Sequence, residues 1–327
     1  MVNLKGLIYE IKNFDGIKRK NLVGTIIKPL NKTLNLGITN ILGAFGEDSA
    51  IFEIPNIDNY YFLMALDGIW YKLIDADPEL AGYFSVLVNA NDIYCKGGVP
   101  LVMVNNLGIN SHQIGNKIIK GIMEGCKKYK IPMVGGHLHP NEDKNSLAVA
   151  ILGMVKKGCE IYSSTAEPGD KIIFAVDLDG NFNEKFIYAW DTTSHKSSEY
   201  VRNVCSSMNE IAEKKLLTAA KDISNPGNIG TLGMLLESSK KGAIINLEDI
   251  PIPEGIEIER WVKAYPGFGI VATTKEENVE QCIKIFRNKG VIAKECGEIT
   301  EEGKLILSYE GNKEILFDFK YDKIVGI

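Results

Sequence analysis

The sequence predicts an α/β protein of two domains, built as α+β layers. Three observations carry that reading. The chain has 327 residues, about twice the length of an ordinary domain. Strand-like and helix-like segments alternate along it, the pattern of mixed layers. The turn Glu167-Pro168-Gly169-Asp170 marks a break near residues 156–168, so the expected domains are residues 1–155 and 156–327.

The elements follow in order. MVNLKGLIYEIKNF carries charges at Lys5, Glu10 and Lys12 and no small-residue cleavage site; it reads as an amphipathic helix and not as a signal peptide. Residues 50–54 and 60–66 are short apolar runs around Pro55-Asn56-Ile57-Asp58-Asn59, a hairpin-like pair. A helix is expected over 79–96 and a strand over 101–107. An amphipathic helix over 112–130 has Ile114, Ile118, Ile122 and Cys126 at spacing four. A short strand over 131–134 should end in a glycine pair, and a buried strand should span 147–155. Beyond the break come a strand over 171–176, a long polar helix over 197–220 and a loop at Asp222. A helix over 229–239 and strands over 243–246 and 269–273 follow, flanking PIPEGIEIE. A helix over 276–288 and strands over 291–296 and 305–308 close the chain.

Composition narrows the function. Hydrophobic residues make up 45% and charged residues 24%, which indicates neither disorder nor a fibre. The net charge of −5 and the lack of a basic stripe argue against a nucleic-acid partner. The short basic runs at 18–20 and 127–130 read as solvated faces. No apolar run reaches the roughly eighteen residues of a membrane helix. The six cysteines are scattered without a C-x-x-C pair, so free thiols and a cytoplasmic protein are expected.

The candidate chemistry lies in four aspartates at the edges of apolar segments: Asp48 in GEDSAIFEI, Asp67 in YYFLMALDG, Asp92 in VNANDIYCKGGVPL and Asp222 in AAKDISNPGNIG. Hard carboxylate oxygens beside close-approach glycines, here Gly135 and Gly136, suit Mg²⁺ on a polyphosphate. On the helix over 79–96, Ser85, Asn89, Asp92 and Lys96 share one face of an otherwise apolar cylinder. Such a stripe lines either a cleft or an internal hydrogen-bond network. Lys96 reads as a phosphate contact or as a surface cap of the helix end. The Asp222 loop offers Ser224 and Asn225 as caps of a helix whose start could hold phosphate. There is no G-x-x-x-x-G-K-[ST], no G-x-G-x-x-G opening a βαβ unit and no G-x-S-x-G.

The order of these motifs resembles the AIR synthase-related superfamily over about residues 40–310. GEDSAIFEI is similar to the Gly-Asp-Asp-Ala-Ala-Val element of thiamine-monophosphate kinase, and NANDIYCKGGVPL to the superfamily's Asn-x-x-Asp-x-x-x-x-Gly-x-x-Pro helix end. GGHLHP resembles the Gly-Gly-His-Ser segment of selenophosphate synthase, and KDISNPGNIGTLGMLLE occupies the place of the Asp-x-(Ser/Thr)-x-Gly loop and helix. The overall pattern is most similar to the branch called methanogenesis marker protein 2. The resemblance implies two AIR synthase-like α/β domains, the first pairing across a homodimer into a β-barrel, with ATP and Mg²⁺ in a cleft nearby. It implies Asp48, Asp67, Asp92 and Asp222 as metal and phosphate ligands, Asn89 as support for Asp92, and Gly135, Gly136 and His137 at the nucleotide's border. The implied activity is phosphoryl transfer to, or ATP-driven activation of, a small acceptor; the alternative is a nucleotide-binding subunit without turnover. The chain lacks the N-terminal cysteine of selenophosphate synthase, and Ser224-Asn225-Pro226 replaces the kinase's Ser-Asp-Gly.

Overall fold

The computed structural model describes residues 2–326. Its first half is a six-stranded sheet. The strands are β1 (Ile41–Gly43), β2 (Ala50–Phe52), β3 (Tyr60–Gly68), β4 (Val99–Ile109), β5 (Met133–Pro140) and β6 (Ser146–Lys156). They lie in the order β1-β2-β3-β6-β4-β5, with β5 at one edge. All pairings are antiparallel except β4 with β5. Alternation along β3 turns Leu63 and Ala65 inward and leaves Met64 and Leu66 exposed.

Two helices, Pro78–Cys95 and His112–Tyr129, cover the inner face. The first starts where the sequence supplies a cap: the Asp77 carboxylate accepts the Leu80 N–H at 3.1 Å, with Pro78 in the first turn. The second ends at Lys130 in the left-handed conformation. The two backbones touch through glycine. A Cβ on Gly82 would sit 2.1 Å from the Ile118 carbonyl oxygen, and one on Gly121 would sit 1.8 Å from that of Glu79. No other residue fits at either position.

The second half holds a seven-stranded sheet. Its strands begin with β7 (Lys171–Val176); β8 (Asn181–Phe182) and β9 (Ala189–Asp191) join β12 (Tyr265–Pro266) in a small three-stranded sheet instead. The others are β10 (Leu217–Asp222), β11 (Gly242–Asn246), β13 (Gly269–Thr274), β14 (Ile292–Thr300), β15 (Lys304–Tyr309) and β16 (Asn312–Asp318), in the order β10-β13-β7-β14-β11-β15-β16. Residues 172–176 of β7 are wholly buried because both faces are covered. Ile173 and Ala175 join a core with helices Ser198–Glu213 and Val279–Asn288 that runs on into the first half. Ile172, Phe174 and Val176 face a second core under helix Gly227–Ser239. The N-terminal helix Leu4–Asn13 packs there too, through Leu4, Leu7 and Ile11. It thus leaves the half with which it is contiguous in sequence.

Three expectations need correction. The long polar helix stops at Glu213, and 217–222 is a strand. Its partner β13 is remote in sequence, so local periodicity could not reveal the pairing. The short strand at 131–134 instead begins at Met133 and runs through both glycines to Pro140. Ser224 and Asn225 do not cap helix Gly227–Ser239, which has Pro226 at its N-cap position.

Candidate functional site

One cleft of about 1030 Å³ lies between the halves, at the upper end of small-molecule sites. The structure brings Asp48, Asp67, Asp92 and Asp222 to its wall. Asp67 comes from the end of β3, on the face of Leu63 and Ala65. Asp92 comes from the last turn of helix Pro78–Cys95, and Asp222 ends β10. Asp48 precedes β2, and neighbouring Ser49 donates to the Asp92 carbonyl oxygen at 3.4 Å.

The four carboxylates divide into two electrostatic classes. Asp48 sits between two buried ammoniums, Lys221 and Lys96; Lys96 Nζ lies 3.1 Å from its Oδ2. Burial pushes the Asp48 carboxyl up, but these cations outweigh it and hold its pKa at about 2. Glu47 belongs with it. Its Oε2 accepts from Lys96 Nζ at 2.8 Å and from the Ser163 N–H at 2.6 Å. Burial again opposes ionisation, and Lys96 and Lys221 prevail, so the Glu47 pKa is lowered. Lys96, with no exposure, also donates to Ser163 Oγ and to the Ala220 carbonyl. Burial works against its charge, yet Asp48 and Glu47 hold its pKa above the usual lysine value. It is therefore no surface cap.

Asp67, Asp92 and Asp222 form the other class. Burial and then the like charges of Asp67, Asp222 and Asp48 push Asp92 well above the carboxylate range. Burial, followed by Asp48, raises Asp222 to about 7, against the downward pull of Lys221. Burial raises Asp67 as well, with Lys20 opposing it. Carboxylates that raise one another in a buried wall need an added cation to ionise together.

The donor set therefore fits a hard divalent cation. Among the described residues, no three His, Cys, Asp or Glu side chains are gathered into a group that holds a metal by itself, so a cation here would draw most of its shell from water and phosphate oxygens, as Mg²⁺ does when it takes one or two carboxylates. Asn91, which sequence reasoning overlooked, adds a buried Oδ1 without a partner at the cleft wall, while its Nδ2 donates to Gly267 at 2.9 Å.

The polar stripe splits along its length. Ser85 Oγ donates to the Gly82 carbonyl at 2.7 Å and Asn89 Nδ2 to the Ser85 carbonyl at 2.8 Å. Both turn back on their own helix, and Asn89, fully buried, makes no hydrogen bond to Asp92 and does not line the cleft. Asp92 alone faces the cleft, and Lys96 enters the ion-pair cluster. Gly135, Gly136 and His137 lie on exposed edge strand β5, outside the cleft of this chain. Gly136 serves the sheet itself, because a Cβ there would come within 2.5 Å of the Asn105 carbonyl. The start of helix Gly227–Ser239 is also closed to phosphate. Its Asn228 and Ile229 N–H groups donate to the carbonyls of Ala264 and Val262 at 3.1 and 3.2 Å. Lys221, unnoticed in the sequence because its segment reads as helical, is the cation that joins the halves at Asp48.

A strap forms the remaining wall. Gly16, Arg19, Lys20, Val23 and Ile27 line the cleft together with Val325. Gly24 N–H donates to the Val325 carbonyl at 2.8 Å. Glu237 fixes the partner segment by accepting the N–H groups of Ile324, Val325 and Gly326 at 3.3, 2.7 and 3.1 Å.

Known proteins share this architecture. The model for the N-terminal domain of AIR synthase related proteins matches residues 46–155, and the model for their C-terminal domain matches 167–310. An uncharacterised protein of Methanocaldococcus jannaschii is 45% identical over 325 residues, covering 99% of this chain and 100% of the relative. Thiamine-monophosphate kinase of Buchnera aphidicola is 25% identical over 304 residues, 86% of this chain and 92% of that enzyme. Among solved structures, AaThiL complexed with AMPPCP and TMP has a TM-score of 0.67 at 17% identity and covers 92% of this chain and 98% of its own. Thermotoga maritima PurL complexed with ATP has a TM-score of 0.74 at 17% identity over 90% of this chain. The chain spans about half the length of that PurL, 49%. The two solved structures share the mixed two-domain fold, and with both domain models matched in order this chain belongs to the AIR synthase related family.

Proposed function

We propose that this protein is an ATP-using enzyme that carries out Mg²⁺-assisted phosphoryl transfer to, or ATP-driven activation of, a small acceptor. The observation that carries this reading is the set Asp67, Asp92 and Asp222, three buried carboxylates on one cleft wall that burial and neighbouring acids hold above the ordinary range in spite of Lys20 and Lys221. Family relatives bound to ATP or its analogue support it. In this reading Asp67, Asp92 and Asp222 are the metal and phosphate ligands. Asp48, held by Lys96 and Lys221, sets the field around them and joins residues 1–155 to residues 156–327. Bound Mg²⁺ would neutralise phosphate oxygens and the charge that develops on the transferred group.

The chain's own residues position and exclude. Burial and like charges favour the protonated forms of Asp92 and Asp222 in the ligand-free protein, and a bound cation would favour their ionised forms. The strap at residues 16–27 keeps water from the transfer site, and no side-chain nucleophile is required. Exposed Met64, Leu66, Val104, Val134 and Leu138 support a second copy covering the outer face of the first sheet, since apolar patches of this kind mark interfaces. In such a dimer, edge strand β5 with Gly135, Gly136 and His137 would approach the partner's nucleotide. Among the described residues, no helix is long and apolar enough to cross a membrane.

Calorimetry with Mg²⁺ and a non-hydrolysable ATP analogue tests the assignment. Asp92→Asn should weaken binding at least about tenfold, since it removes a charged ligand. Equal affinity in the native protein and the variant would end the assignment.

A further inference from the structure

The carboxylates occupy one end of the cleft. Past Asp67 its character reverses. Arg19 lies over Trp70 with its guanidinium carbon 4.6 Å from the ring centroid, and Lys72 Nζ lies 4.8 Å from the same centroid. Phe186 braces Trp70 edge-on at 6.2 Å. Arg19, Lys20, Trp70 and Phe186 all line the cleft.

These cations differ from the two at the other end. Lys96 and Lys221 are neutralised by Glu47 and Asp48. The side chains of Arg19 and Lys20 make no ion pair with a carboxylate among the described residues, and the Arg19 guanidinium donates no hydrogen bond to the protein there. A guanidinium over an indole keeps its N–H donors available for a further partner. A free guanidinium with an ammonium on the same cleft wall matches a phosphate-class oxyanion. The cleft volume, at the upper end for a single ligand, leaves room for a second molecule beside a nucleotide.

We propose that Lys20 and Arg19, the latter organised by Trp70, bind a phosphate-class oxyanion carried by the acceptor, at the end of the cleft beyond Asp67. The proposal rests on the reading of the cleft as an ATP site. The same chemistry could serve the nucleotide's own phosphates, and the test separates the two sources.

Inorganic phosphate is the probe, titrated into the full chain with and without saturating Mg²⁺ and AMPPNP. Tryptophan fluorescence reports binding, because Trp70 lies under Arg19 in the cleft, whereas Trp190, also at the cleft wall, and Trp261 are only 6% and 0% exposed. The native protein holding AMPPNP should bind phosphate saturably. Arg19→Gln, a change at an exposed side chain whose folding a thermal midpoint verifies, should weaken phosphate about tenfold and leave AMPPNP affinity within about twofold. Loss of AMPPNP affinity with phosphate binding intact would assign the cations to the nucleotide and overturn the proposal, as would absence of saturable phosphate binding. If the native protein binds no AMPPNP, the ATP reading fails separately. The nucleotide-free titration then still decides: weaker phosphate binding by Arg19→Gln upholds the oxyanion site, and equal binding removes it.

Discussion

The cluster of Glu47, Asp48, Lys96 and Lys221 and the trio Asp67, Asp92 and Asp222 share one wall, yet they behave oppositely. In the first, two acids meet two buried ammoniums and further donors from Ser163 and Ser164. In the second, burial first and then like charges, that of Asp48 among them, raise all three acids. A buried charge with its partner in place is part of the architecture. A buried acid among acids is waiting for something the chain does not supply. The contrast separates residues that assemble the site from residues that meet its ligand, a distinction four similar aspartates in a sequence do not disclose.

Breaking the compensated cluster should have the largest effect. Lys96→Met leaves Glu47 and Asp48 buried without their shared cation and should cost about 3–5 kcal/mol in urea unfolding; a loss below about 1 kcal/mol would show that the cluster is not structural. The two classes should also respond to pH with opposite sign. Asp48 has a folded pKa of about 2, below the ordinary aspartate value near 4. Its contribution is present above pH ~4 and lost as pH falls toward 2. Asp222, raised to about 7, contributes below pH ~4 and loses that contribution as pH rises through 7. The thermal midpoint of the ligand-free protein should therefore peak near pH ~4, declining toward pH ~2 as Asp48 protonates and declining between about pH 4 and 7 as Asp222 ionises. Asp222→Asn should flatten only the alkaline decline, by a few kcal/mol in stability at pH 8; an unchanged profile would place the raised acid elsewhere. The smallest effect belongs to Glu53→Gln. That residue pairs with Lys157 at 2.7 Å on the surface, and its loss should leave the urea midpoint nearly unchanged, a baseline against which burial at Lys96 can be read.

Much of this was legible in the residues. The spacing of Ser85, Asn89, Asp92 and Lys96 placed them on one helical face, and the alternation in YYFLMALDG placed Asp67 at a strand end. What each stripe residue meets was not legible, because it depends on segments far along the chain. Lys96 ends among Glu47, Ser163 and Ala220, whereas Asn89 finds its acceptor one turn away. Lys221 was hidden for a related reason. LTAAKD suits a helix as well as a strand, and only pairing with Gly269–Thr274 decides between them. Gly135 and Gly136 carried a real signal, close backbone approach, but the neighbour that requires it at Gly136 is strand β4.

The strap has a consequence for synthesis. Its Gly24 contact requires Val325, and Val325 is itself held by Glu237. A nascent chain that has emerged only to residue 300 carries every aspartate of the cleft but lacks the Val325 carbonyl that receives Gly24. That stretch of the wall should therefore settle last, once the C-terminal segment has docked on Glu237.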